Sequence, residues 1–136
     1  MCCQSNKCFD VIEVVTASSN IALPENAKLN KKRITSIAVR KAGSGKKSVT
    51  GKTLASAGVI ATAHLKLVNE QGDFLTNIPV EMLERDANSP EHLRVDWKNI
   101  GTTQSSIVLD TAASGYDAAH VIEIVFGYDC SPNCAV

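Results

Sequence analysis

Apolar and polar residues alternate along most of the chain, the period of strands that bury one face and wet the other. In "FDVIEVVTAS", Ile12 and Val14 share a face bounded by Asp10 and Thr16. In "AAHVIEIVFGYD", Ile122, Ile124, Phe126 and Tyr128 line up together while Glu123 points the other way. "KRITSIAVRK" pairs Ile37 with Val39, and "IATAHLKLV" sets Ala61, Ala63, Leu65 and Leu67 against His64 and Lys66. The cleanest alternation is "LRVDWKNI", with Leu93, Val95 and Trp97 against Arg94, Asp96 and Lys98; "DFLTNIPV" and "SSIVLDTA" supply two more segments. Only "PVEMLERDA" reads as a helix, of about two turns, with Pro79 in the first turn and Val80, Met82 and Leu83 available for packing. The pattern predicts an all-β chain: an antiparallel β-sandwich or single jelly roll of about seven to eight strands with at most one short helix.

Length and charge narrow the reading. A chain of 136 residues fits one domain spanning 1–136, with cysteine-bearing terminal segments at 1–8 and 130–136. Lys plus Arg and Asp plus Glu both number 14, so no global field draws the protein to nucleic acid or a membrane, and neither is expected as a partner. No 18-residue apolar run and no secretory leader are present, which points to synthesis in a cytoplasm, where thiols stay reduced. Aromatic residues make up 4%, too few to favour a sugar-stacking platform.

Cys2, Cys3, Cys8, Cys130 and Cys134 all lie near the two ends. If the first and last strands pair antiparallel, Cys8 and Cys130 meet at one end of the fold. Their spacing lacks the paired C-x-x-C knuckles of structural zinc sites, so free, partly buried thiols are expected ahead of a disulfide or a zinc cluster. "AGSGKKSVTGKT", residues 42–53, resembles a phosphate loop, but neither register satisfies G-x-x-x-x-G-K-[ST]: Lys46 stands where the leading glycine belongs, and Lys47 follows Gly45-Lys46. The segment reads instead as a mobile, basic connection between strands, and no cofactor is expected. His64, His92 and His120 read as solvated surface residues. Glu13 and Glu123 point outward from their strands, a placement that could suit a glycosidase pair but that nothing else in the sequence supports. Nine of the fourteen cations fall between Lys28 and Lys52, which reads as a solvated face or a docking patch. Lys46, Lys47, Val121 and Val125 are the candidate interface residues, and no enzymatic activity is expected.

The order of segments adds one clue. "LPENAKLNKKRITSIAVRKAGSG", "SGKKSVTGKT", "AHLKLVNEQGDFLTNIPVEML", "LRVDWKNI" and "HVIEIVFGYD" together resemble small β-sandwich virion proteins of tailed bacteriophages of Bacteroidetes, including the crAss-like group, over most of residues 20–129. The resemblance implies a non-enzymatic capsid decoration or head-fibre subunit. Such a subunit would be commonly trimeric, located in the virion, and partnered by copies of itself and by the major capsid protein. The cysteine-bearing ends depart from that pattern. A carbohydrate- or surface-binding module on the same fold is the alternative, with Trp97, Tyr116 and Tyr128 as its aromatic candidates.

Overall fold

The last strand of the chain lies between the first and the third. In the computed structural model, which describes residues 7–41, 47–85 and 92–129, β9 (Val121–Asp129) pairs antiparallel with β1 (Lys7–Val15) along its whole length and with β3 (Arg33–Arg40) on its other side. The far side of β3 carries β7 (Leu93–Lys98), antiparallel, and β6 (Glu84–Arg85), parallel. A second sheet runs in the order β2 (Asn20–Ala22), β8 (Ser106–Val108), β4 (His64–Val68), β5 (Phe74–Pro79).

The connectivity follows one rule. With the two-residue β6 set aside, the strands pair from the outside inward: β1 with β9, β2 with β8, β3 with β7 and β4 with β5, all antiparallel. Rolling that long double ribbon on itself creates the remaining contacts, β3 with β9 and β4 with β8. This is the winding of a single jelly roll, in which two sheets close over one core. The expected all-β sandwich forms, with nine strands among the described residues.

The core takes the faces that the alternation marked. Ile12 and Val14 of β1, Ile122, Ile124, Phe126 and Tyr128 of β9, and Leu65 and Leu67 of β4 are all buried in it, and Val95 and Trp97 of β7 pack against it. β3 departs from simple parity: the register shifts between Ile34 and Ser36 against both neighbours, so Ile34, Ile37 and Val39 all face inward. A bulge inserts the extra residue that this change of phase requires.

Helical structure forms in a different place from the one expected. The segment read as the start of a strand, "SAGVIAT", forms α2 (Ala57–Thr62), because the Ser56 hydroxyl accepts the Val59 N–H and caps the helix. The strand proper begins at His64. The segment read as a helix makes only a 3-10 turn, Val80–Leu83, which buries Val80 and Leu83 before the chain extends into β6. A further four-residue helix, α1 (Ala27–Asn30), starts at Asn26, whose Oδ1 accepts the Leu29 N–H.

Gly58 of α2 gives a test in which packing opposes propensity. Alanine in a helix interior is normally favoured over glycine by about 1 kcal/mol. At Gly58, however, an added Cβ would lie 2.5 Å from the carbonyl oxygen of Ser114, a backbone atom that cannot turn aside. Gly58→Ala is expected to lower the unfolding free energy by about 1–3 kcal/mol in denaturant titrations. A rise in stability would show that α2 does not seat against the 113–116 turn.

Candidate functional site

The outer face of the larger sheet carries the polar chemistry. The Thr16 N–H to His120 carbonyl bond, 2.9 Å, continues the β1–β9 ladder, so the even-numbered residues of β1 exchange hydrogen bonds with β9. The odd-numbered residues of β1 therefore form non-hydrogen-bonded pairs, in which Cα atoms approach to about 4.5 Å and side chains crowd. Glu13 and Glu123 are one such pair, flanked by Val15 with Val121 and by Val11 with Val125. Like charges directly opposite on neighbouring strands repel, so this pair needs donors.

The donors come from the segment that mimicked a phosphate loop. Residues 47–54 form a tight turn: the Ser48 N–H donates to the Lys52 carbonyl (2.7 Å) and the Gly51 N–H to the Ser48 carbonyl (2.9 Å). Gly51 adopts φ of 85°, a conformation that glycine takes without steric cost. The turn lies over the carboxylates. The Ser48 hydroxyl donates to Glu13 Oε1, the Thr50 hydroxyl donates to the same oxygen at 2.8 Å, and the Val49 N–H donates to Glu123 Oε2 at 2.8 Å. Arg40 Nη1 lies 3.4 Å from Glu123 Oε1. The chain then continues along β9, with the Ala55 N–H donating to the Val121 carbonyl (2.8 Å) and the Val121 N–H to the Thr53 carbonyl (3.0 Å). Under this roof Glu123 is 2% exposed and Val121 fully buried.

These contacts decide what the carboxylates can do. The Ser48 hydroxyl, against a smaller desolvation effect and helped by Thr50 and Lys52, holds the Glu13 carboxyl below its ordinary range. Glu13 and Glu123 both accept hydrogen bonds from the turn and anchor it. The reading of this segment as a mobile connection is corrected for residues 47–54, which are docked because two carboxylates require their donors.

Beside the roof the sheet opens into a cleft of about 200 Å³ lined by Ala38, Arg40, Arg85, His92, Glu123 and Val125. Arg85 Nη1 donates to the carbonyls of Glu84 (2.6 Å) and Met82 (3.3 Å). The His92 ring meets Phe9 edge-on with centroids 5.5 Å apart, and its Nδ1 is buried with no partner among the described residues. Burial, and then the nearby charge of Arg85, push the His92 pKa down. The expectation of a solvated His92 is corrected accordingly.

The other candidate residues fall in several places. Lys47 is exposed and donates to the Thr53 hydroxyl at 2.9 Å. Val125 is half-buried and lines the cleft, whereas Val121 is fully buried, its backbone bonded by residues 53–55, and offers no interface surface, a second correction. Lys46, Cys2, Cys3, Cys130 and Cys134 lie outside the described residues. Cys8 is disulfide-bonded, so the free thiol expected there is replaced by a cross-link. His64 is exposed, and His120 Nε2 lies 3.9 Å from Asp117. Within the basic region Arg33 makes a two-pronged bridge to Asp96 at 2.7 and 2.9 Å, and Lys32 lies 5.9 Å from the Tyr128 ring. Among the described residues no group of three or more His, Cys, Asp or Glu could hold a metal ion, and no helix is long and apolar enough to cross a membrane.

The protein is thus a jelly-roll β-sandwich whose larger sheet carries a roofed carboxylate pair and an adjoining cleft. Comparison with known protein families, curated proteins and solved structures finds no match.

Removing the anchor gives a pH test. The folded pKa of Glu13 lies below the ordinary 4.5, so its contribution is complete above the unfolded value and is lost as pH falls through the lower folded value. Glu13→Gln is expected to cost about 1 kcal/mol at neutral pH, a figure kept small because the group is partly solvated. The gap between wild type and variant should close as the pH is lowered below 4.5. A gap that persists unchanged in acid would show that charge at Glu13 does not hold the turn.

Proposed function

We propose that the protein is a non-enzymatic virion structural protein of a tailed bacteriophage, a capsid decoration or head-fibre subunit that acts through protein–protein interfaces. Jelly rolls are the fold of many viral capsid domains, although the same fold also serves lectins and enzymes. The observation that carries the reading is the free edge of β1.

Edges of the smaller sheet are blunted in familiar ways: β2 has three residues, and β5 ends at Pro79. β1 differs, since it is nine residues long and its outward N–H and C=O groups belong to Phe9, Val11, Glu13 and Val15. The Val11 N–H is met by Asp10 Oδ1 at 3.2 Å, and the Val15 carbonyl by the Ala17 N–H at 2.8 Å. Among the described residues the remaining groups on this edge have no partner, and Phe9 beside them is 57% exposed. A strand of this length with an exposed aromatic residue is a template for strand addition by a neighbouring chain. Copies of the chain, in the trimer that the resemblance implies, and the major capsid protein are the proposed neighbours, and the virion is the proposed location.

The carbohydrate-binding alternative has less support. Tyr128 is buried, and Trp97 and Tyr116 pack against the core, so none of the three presents an open stacking face.

Phe9→Lys places a charge on the free edge without touching the core. The wild type is expected to be oligomeric by light scattering, and the variant is expected to dissociate while keeping the far-UV circular dichroism spectrum of the folded chain. A monomeric wild type, together with absence of the protein from purified phage particles by mass spectrometry, would defeat the proposal.

A further inference from the structure

We infer that His92 and Phe9 form an acid-sensitive latch across the outer face of the larger sheet, closed while the imidazole is neutral and opened when it takes up a proton. The latch depends on the contacts of this face and not on the proposed virion role. Phe9 of β1 lies opposite Gly127 of β9, where a Cβ on the glycine would come within 3.1 Å of the Phe9 ring and would also meet the Ser36 hydroxyl. The lack of a side chain at 127 thus gives the ring its seat. From the other side His92, the residue before β7, meets that ring edge-on, with centroids 5.5 Å apart and planes at 71°. Leu93 pairs with Ile37 of β3, so this one contact reaches from the start of β7 over β3 and β9 to β1.

The seat suits a neutral ring. A charged imidazole donates from both nitrogens, and at the buried Nδ1 it would find no acceptor among the described residues. Arg85 of β6 and Arg40 of β3 line the same cleft and surround the ring with positive charge. Glu123 of β9 is the anion there, but the Val49 N–H and Arg40 already occupy its two oxygens. β1 meets His92 with the uncharged ring of Phe9, and Glu13 farther along that strand is engaged by Ser48 and Thr50.

Burial first, and then the charge of Arg85, hold the His92 pKa below 6.5. The contribution of the closed seat to stability is therefore complete above 6.5 and is lost as the pH falls through the lower folded value. Once charged, the imidazole is better accommodated in water than in a site that offers it no acceptor. Its departure removes the contact that steadies Phe9 on the free edge of β1.

An NMR titration of the full-length chain from pH about 8 to about 4, following the His92 ring and the Gly127 Hα beneath the Phe9 ring, tests the latch. The His92 midpoint is expected below 6.5, and the Gly127 signal is expected to move with that same midpoint as the Phe9 ring leaves it. His92→Phe keeps an aromatic edge against Phe9 but cannot take up a proton, so the Gly127 signal should lose this transition. If that variant fails to fold, Phe9→Leu carries the test: it uncovers the imidazole and should raise the His92 midpoint toward 6.5. A His92 midpoint at 6.5 or above, a Gly127 signal that stays still while His92 titrates, an unchanged transition in His92→Phe, or an unchanged His92 midpoint in Phe9→Leu would overturn the inference.

Discussion

β9 is covered on both faces, and much of the architecture follows from that constraint. Its inner face, Ile122 through Tyr128, supplies the centre of the core, and its edges are taken by β1 and β3. The outer face would meet water in a simple sandwich, yet Val121 and Glu123 are buried there. A buried carboxylate with another carboxylate opposite it is tolerable only if donors reach both. The 47–54 turn supplies those donors.

The chemistry of this face is therefore put to structural use. Hydroxyl and backbone donors on Glu13 and Glu123 fix the turn over the sheet. Arg40 joins the two regions, since it lies 3.4 Å from Glu123 and also lines the cleft. The free edge of β1 lies on the same sheet.

The strand pattern was legible in the sequence because inward and outward positions alternate cleanly in β1, β7 and β9, whereas the pairing of first and last strands entered only as a condition. α2 was not legible, because Ala61, Ala63 and Leu65 continue a period of two through a segment whose Ser56 cap acts only when Val59 comes within reach. The short helix expected after Pro79 failed for a related reason: burial of Val80 and Leu83 is satisfied by a single 3-10 turn, and β3 then captures Glu84 and Arg85. The site was half visible. Two glutamates set among outward valines signalled an unusual face, but Ser48 and Thr50 lie 35 and 37 residues from Glu13, and nothing local links them. His92 was hidden for the same reason, since its burial depends on contact with Phe9 from the far end of the chain.

Opposed carboxylates on β1 and β9 hold the 47–54 turn closed over the sheet. Amide hydrogen exchange at Val49, whose N–H donates to Glu123, tests it most directly. The account predicts slow exchange at neutral pH that becomes fast in Glu123→Gln while the amides of β9 stay protected. Exchange at the rate of an unstructured peptide in the wild type, with β9 still protected, would contradict it.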